Sequence, residues 1–97
     1  MLTGKQKRFL RAKVHHEKPI FQVGKSGVSE NMIIQLRDVL EKRELIKIRI
    51  LQNCLENKHD IADEITAKSG AQLVQIIGYN IILYKESEEN KQIRLPE

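Results

Sequence analysis

The chain has no tryptophan and only one cysteine among its 97 residues, and its apolar runs are short. The lone Cys54 cannot form an internal disulfide, so disulfide-rich secreted scaffolds are excluded and no oxidising compartment is implied. The apolar runs fall far short of the roughly 20 residues that a membrane helix needs. The chain turns polar and basic directly after Met1-Leu2, which is not the pattern of a signal peptide. We therefore expect a cytoplasmic protein without membrane association.

Aromatic side chains are scarce as well, since Phe9, Phe21, Tyr79 and Tyr84 are the only four. Readers of single-stranded RNA stack bases on exposed aromatic rings, so base-specific recognition of that kind is not favoured. We expect Phe9 and Phe21 in the core. Tyr79 falls in a predicted turn, where it is either free to stack on a base or simply a turn residue.

No set of residues suggests catalysis. Cys54 has no neighbouring base, and the adjacent His15-His16 pair ends a basic helix, where joint metal ligation is not expected because neighbouring helical side chains diverge. The acidic group is Asp60, Asp63 and Glu64, which is typical of a solvated helix face. The sequence therefore predicts a protein that is not an enzyme, with no catalytic residue, metal or cofactor.

Positive charge is concentrated at the beginning of the chain, although the whole carries only +4. Residues 1–27 hold seven basic residues and one acidic residue, a net +6, whereas residues 28–97 hold ten basic and twelve acidic residues, a net −2. Such asymmetry is typical of a nucleic-acid-binding surface, with a solvated helix face as the alternative explanation.

The basic segment leads into Gly24-Lys25-Ser26-Gly27, here called the glycine loop, between a strand-like run and a helix start. Backbone N–H groups at a helix N-terminus attract phosphate, and glycine permits close approach. A tight turn that needs glycine is an equally open interpretation. Pro19 and Gln22 stand where a P-loop and a dinucleotide fingerprint need glycine, so no nucleotide cofactor is expected.

Periodicity predicts the element order α-β-α-β-α-β-β. The three helices span about 4–15, 29 to about 42 or 43, and 58–69, and the four strands span 20–23, 45–51, 72–77 and 81–85. Thr3 and Gln6 match a capping box, Ser29 is a good N-cap, and Gly70 suits a helix end. Gly78-Tyr79-Asn80 reads as a hairpin turn.

The fold class that follows is α/β of the α+β type: one domain, residues 1–97, with a four-stranded mixed sheet packed by helices. Its core covers about 3–85, and residues 86–97 form a tail that we expect to be loosely held, with Ile93 and Leu95 as its candidate docking residues. In the first helix, we expect Lys5, Arg8 and Arg11 on the side opposite Phe9, Leu10 and Val14. The predicted RNA-contacting residues are Lys5, Lys7, Arg8, Arg11, Lys18, Gly24, Lys25, Ser26 and Gly27.

Four stretches of the sequence resemble the CRM domain family in its stand-alone bacterial, YhbY-like form. They are TGKQKRFLRAKVH, KPIFQVGKSGVS, ELIKIRI and QLVQIIGYNIILYK, which together span residues 3–85. The resemblance implies a fold similar to the C-terminal domain of bacterial translation initiation factor three. It also implies RNA binding, with the glycine loop involved, and association with precursors of the large ribosomal subunit during ribosome assembly.

We therefore predict a monomeric RNA-binding assembly factor that holds rRNA backbone without catalysis. Two alternatives stay open: a general chaperone of structured RNA, and a small adaptor whose acidic third helix docks a protein. A steep salt dependence of binding would favour the RNA interpretations over the adaptor.

Overall fold

The computed structural model describes residues 1–97 and contains three helices and four strands in the predicted order. The helices are α1 (Gly4–Val14), α2 (Glu30–Arg43) and α3 (Lys58–Ser69). The strands are β1 (Phe21–Val23), β2 (Leu45–Ile50), β3 (Gln72–Ile77) and β4 (Asn80–Tyr84). The predicted fold class is confirmed, and every predicted boundary lies within one residue of the observed one.

The four strands form one mixed sheet in the order β1-β2-β4-β3. β1 runs parallel to β2, with Phe21 opposite Ile48, and α2 makes the crossover that parallel strands require. β4 lies antiparallel to both β2 and β3, with a register shift between Leu73 and Gln75. This order leaves β1 at one edge, so the glycine loop follows an edge strand.

Helices cover both faces of the sheet, and each face has its own apolar cluster. α2 and α3 share 13 buried residues with one face, including Ile46, Ile48 and Ile50 of β2. α1 covers the other face with Leu10 and Val14, which join a second cluster of six buried residues. Isoleucine alternating with charged residues along β2 produces this division, because successive strand side chains point to opposite faces.

Local hydrogen bonds fix the helix starts as predicted. The Thr3 hydroxyl accepts from the Gln6 amide while the Gln6 side chain accepts from the Thr3 amide, which is a complete capping box. Ser29 caps α2 through the Met32 amide at 3.1 Å. Gly70 ends α3 in the left-handed region, with φ of 79°.

The tail, residues 86–97, differs from the expectation, because it is anchored rather than loosely held. Glu44, the residue after α2, has a buried carboxylate that accepts backbone N–H bonds from Ser87, Gln92 and Ile93 at 2.9, 2.6 and 2.8 Å. Burial opposes ionisation of this carboxylate, but the three donors outweigh it and lower the pKa of Glu44.

A second carboxylate, Glu41, holds the start of the tail. It accepts the Ser87 hydroxyl at 2.6 Å and the amides of Glu88 and Glu89 at 3.0 and 3.1 Å. These bonds, the Ser87 hydroxyl first, lower the pKa of Glu41 to about 2. Docking by Ile93 and Leu95 is confirmed, since both pack against the second cluster.

Two smaller expectations were wrong. Phe9 is exposed by 38% rather than buried, because α1 turns Leu10 and Val14 toward the sheet and leaves Phe9 at its margin, under the Lys13 ammonium. Asn80 belongs to β4, so the hairpin loop is only Gly78-Tyr79. Gly78 has a positive φ of 58°, whereas the φ of Tyr79 is not positive, and this combination is typical of a type II′ turn.

Candidate nucleic-acid interface

The glycine loop is a tight turn that carries the chain from β1 into α2. The Gly27 amide donates to the Gly24 carbonyl at 3.0 Å, and Gly27 has φ of 70°, a conformation that other residues rarely adopt. The interpretation as a turn that requires glycine is therefore correct for Gly27. It does not exclude binding, because the same turn determines where the remaining amides point.

Several amides around this turn have no partner within the protein. The N–H groups of Lys25, Ser26 and Val28 donate no hydrogen bond, and those of Glu30 and Asn31 are the unpaired donors expected at a helix start. α2 adds the positive end of its dipole at this point, and the exposed Lys25 adds a full charge. An anion at the loop would find both donors and a favourable field.

The segment after β2 lies directly against the glycine loop. A methyl group on Gly24 would lie 3.3 Å from Asn53 Oδ1 and 3.6 Å from Leu51 Cδ1. A methyl group on Gly27 would collide with the carboxylate of Glu56. Glu56 thus places a negative charge beside the loop, which no local sequence pattern indicates because 29 positions separate Gly27 from Glu56.

The basic residues of α1 lie on a different part of the molecule, because α1 packs across β2, β4 and β3. Lys5, Lys7 and Arg8 are exposed, as expected of a surface that meets solvent or phosphate. Arg11 is half-buried and its guanidinium donates to Gln75 Oε1 at 2.9 Å, so this residue also ties α1 to β3.

Lys18 lies in neither place. It lines an open groove of about 640 Å³, here called the basic groove, at the N-terminal end of β1. The glycine loop follows the C-terminal end of the same strand. The cationic residues of the groove are Lys13, Lys18, Lys42, Arg43 and Lys47, with Glu17 as the one carboxylate. None of these cations forms an ion pair, since the two salt bridges in the protein are Lys68–Glu64 and Lys91–Glu86.

Four of these groove cations were not among the predicted site residues. Lys42 and Arg43 occupy the last turn of α2, where basic residues complement the helix dipole, so the sequence pattern is explained without a binding site. Lys47 alternates with isoleucine on β2, and this alternation predicts that Lys47 lies on the charged face of the sheet. It does not predict that Lys47 lies close to the end of α1. Its ammonium lies 3.4 Å from the His15 carbonyl.

Cys54, the candidate nucleophile in the sequence, does not line the basic groove. The Cys54 thiol is half-buried, and its only polar contact is the Glu56 carbonyl at 3.9 Å. No group of three or more histidine, cysteine, aspartate or glutamate side chains is placed to hold a metal ion. None of the three helices is long and apolar enough to cross a membrane.

Comparison with known proteins identifies the family of the chain. The model of the CRS1 / YhbY (CRM) domain matches residues 2–85. A "Probable RNA-binding protein YqeI" of Bacillus subtilis is 65% identical over 96 residues, which cover 99% of this chain and 100% of that protein. An "RNA-binding protein" of Haemophilus influenzae is 37% identical, over 98% of this chain and 95% of its own length.

A solved structure has the same fold. The solution structure of the hypothetical protein SAV1595 from Staphylococcus aureus superposes with a TM-score of 0.82 at 53% identity, covering 99% of this chain and 100% of that one. The predicted resemblance to stand-alone bacterial CRM proteins is confirmed by the family match and by these relatives. The prediction of a protein that is not an enzyme is confirmed too, since the family and the relatives are RNA-binding proteins.

Proposed function

The chain belongs to the CRS1 / YhbY (CRM) domain family, and on that premise we propose that it binds RNA through the glycine loop and the basic residues of α1. The observation that carries this proposal is the group of unpaired amides of Lys25, Ser26 and Val28 at the start of α2. They form a ready site for a backbone phosphate, and relatives that cover nearly the whole chain are named as RNA-binding proteins.

The two surfaces have different tasks in this mechanism. At the glycine loop, directional N–H donors and the Lys25 ammonium hold one phosphate in a defined position. On α1, the exposed Lys5, Lys7 and Arg8 attract the RNA backbone without fixed geometry and increase the rate of encounter. Lys18 extends this attraction into the basic groove. Structured RNA is the expected ligand, because backbone position and shape are what such contacts recognise.

We further propose that the RNA is rRNA within precursors of the large ribosomal subunit, and that the protein acts as a monomer in the cytoplasm. The resemblance to YhbY-like proteins suggests this assignment. Binding would hold one rRNA segment in a single geometry while its neighbours fold. The protein would then leave as the subunit matures.

Sedimentation of ribosomal particles tests the assignment. We expect the protein in fractions no larger than the large subunit and little of it on polysomes. A deletion strain should accumulate large-subunit precursors, most clearly in the cold, where misfolded RNA escapes slowly. Normal subunit ratios in the cold, with the protein absent from every ribosomal fraction, would contradict a role in assembly.

Two complementing variants separate the RNA surface from the acidic face of α3. Lys25→Gln removes the cation of the glycine loop and should restore the deletion strain poorly. Asp60→Asn with Asp63→Asn alters exposed residues on α3 and should restore it fully. The reverse result would favour an adaptor that docks a protein through α3.

A further inference from the structure

The β3–β4 hairpin tip, Gly78-Tyr79, lies at the same end of the sheet as the glycine loop. β2 links them: the Ile50 amide at its C-terminal end donates to the Tyr79 carbonyl at 2.7 Å, and the Leu51 amide that follows donates to the Val23 carbonyl of β1 at 2.8 Å. The segment from Leu51 onward then passes directly beside Gly24. Three separate parts of the chain therefore meet at one end of the molecule.

Tyr79 is held in place there, yet its ring is open to solvent. Tyr79 is 61% exposed, the most exposed of the four aromatic residues. The Lys58 ammonium lies 5.4 Å from the ring centroid and also donates to the Gly78 carbonyl at 2.9 Å. A fixed cation over one face of the ring leaves the opposite face available, and a fixed ring loses little entropy on binding.

Polar side chains surround this ring in a shallow pocket of about 450 Å³, here called the base pocket. Arg49, Gln52, Asn53 and Tyr79 contribute its polar and aromatic groups. The side chains of Arg49, Gln52 and Asn53 make no hydrogen bond within the protein, and all three are exposed. The side-chain amides of Gln52 and Asn53 each offer both a donor and an acceptor, which can pair with the polar edge of a nucleobase.

We propose that the base pocket binds one unpaired nucleobase, stacked on Tyr79, of the same RNA segment whose phosphate lies at the glycine loop. The inference rests on the proposed RNA binding and extends it from backbone contact to base contact. Proximity supports it: Asn53 Oδ1 lies 3.3 Å from where a methyl group on Gly24 would stand, so pocket and loop are immediate neighbours. Neighbouring nucleotides are covalently linked, so a short RNA segment with its phosphate at the loop brings a base close to the pocket.

The proposal changes one sequence-based expectation. The small number of aromatic residues disfavours sequence-specific recognition of single-stranded RNA. One stacking residue is still too few to recognise a sequence of several bases. It suffices for one flipped or loop base within an otherwise structured RNA, which is how proteins commonly approach unpaired bases. Tyr79 is then a specificity-determining residue for unpaired nucleotides over continuous duplex.

The test uses two hairpin RNAs with the same stem, one with an adenosine loop and one whose loop nucleotides are abasic. The wild-type protein should bind the adenosine loop about 5-fold to about 150-fold more tightly, the range that stacking of one base provides. Tyr79→Leu should reduce this ratio to near one, while Tyr79→Phe should retain it. Ile34→Ala, an exposed apolar truncation on α2, is the matched control and should retain the ratio.

A second measurement needs no variant. The protein has two tyrosines and no tryptophan, and Tyr84 is buried, so quenching of tyrosine emission by a stacked base reports Tyr79. Quenching by the adenosine loop but not by the abasic loop supports the pocket. Equal affinity of the wild type for both RNAs without quenching overturns it while leaving RNA binding intact. Failure to bind either RNA at any salt concentration would instead overturn the proposed function.

Discussion

Gly27 and Gly24 constrain the glycine loop in different ways, although the motif presents them as equivalent. Gly27 has φ of 70°, in the left-handed region, whereas the backbone of Gly24 lies outside that region. The space around them differs too, since Gly24 faces the flexible end of Asn53 and Gly27 faces the Glu56 carboxylate. Conformation therefore requires glycine at position 27, and only closeness to a ligand would require it at position 24.

Gly27→Ala should lower the free energy of unfolding by about 1–2 kcal/mol, the cost of placing an L-residue in the left-handed region. Gly24→Ala should change it by less than about 1 kcal/mol, because Asn53 is exposed and can move while the unfolded chain loses entropy. Urea denaturation of the two variants measures both values. A larger loss for Gly24→Ala would contradict this division. Weakened RNA binding by a fully stable Gly24→Ala would isolate the close approach of the ligand.

Glu56 is an unfavourable neighbour for a phosphate at the glycine loop, because its carboxylate lies against Gly27. Glu56→Gln should therefore tighten RNA binding, roughly threefold if the two charges lie about 6 Å apart in water-like surroundings. The gain should shrink as salt rises. Asp63→Asn makes the same charge change on the exposed face of α3 and is the control. Equal gains from both variants would show that overall charge, not the loop, determines the effect.

At the scale of elements, the tail depends on two carboxylates in and after the last turn of α2. Glu44 has φ of 64°, an uncommon conformation for a residue with a side chain, and its buried carboxylate accepts three backbone amides. Glu41 binds the preceding turn of the tail. The strained position of Glu44 is thus offset by hydrogen bonds to a segment about 45 residues later in the chain.

Acid should release the tail before the sheet unfolds. The folded-state pKa of Glu41 is about 2, below its ordinary 4.5, so its contribution is complete above about pH 4.5 and is lost as pH falls toward 2. The pKa of Glu44 is lowered in the same direction. The protection factors of the Ser87, Gln92 and Ile93 amides, which correct for the intrinsic pH dependence of exchange, should fall in this range, and Glu44→Gln should lower them at neutral pH. Unchanged protection of these amides at pH 3 would contradict the anchoring role.

The contrast between core and tail shows what sequence patterns could predict. Alternating isoleucines on β2 and the caps at Thr3 and Ser29 depend on neighbours within a few positions, and these predictions were correct. The anchoring of the tail depends on Glu44 meeting Ser87, a pair that no local periodicity relates. The same contrast holds at the candidate site. The glycine loop could be predicted from its motif, whereas the position of Glu56 beside Gly27 follows only from the three-dimensional fold.

At the scale of the whole molecule, the cationic residues form two separate surfaces. The exposed α1 residues Lys5, Lys7 and Arg8 form one, and the basic groove containing Lys13 and Lys18 is the other. Five groove cations against one carboxylate leave a clear excess, even after the two helix C-termini at the groove contribute about half a negative charge each. Helix capping alone therefore does not account for the charge collected there.

Salt titration of RNA binding distinguishes these surfaces. Each phosphate contact that is lost should reduce the slope of log affinity against log salt by roughly 0.7–0.9. Replacing Lys5, Lys7 and Arg8 by glutamine should therefore reduce it by about 2–3, and replacing Lys13 and Lys18 by somewhat over 1. Thermal stability should change little, because surface substitutions typically cost about 0.5 kcal/mol or less each.

Arg37→Gln with Lys85→Gln serves as the control, because it removes two charges that line neither surface. If long-range attraction by net charge dominated, the control and the groove variant would weaken binding equally and neither would change the slope as predicted. If RNA contacts both surfaces, only the groove and α1 variants reduce the slope, and combining them reduces it additively because the sites are independent. An unchanged slope in the α1 variant would remove Lys5, Lys7 and Arg8 from the interface and leave the glycine loop and the basic groove as the contacts.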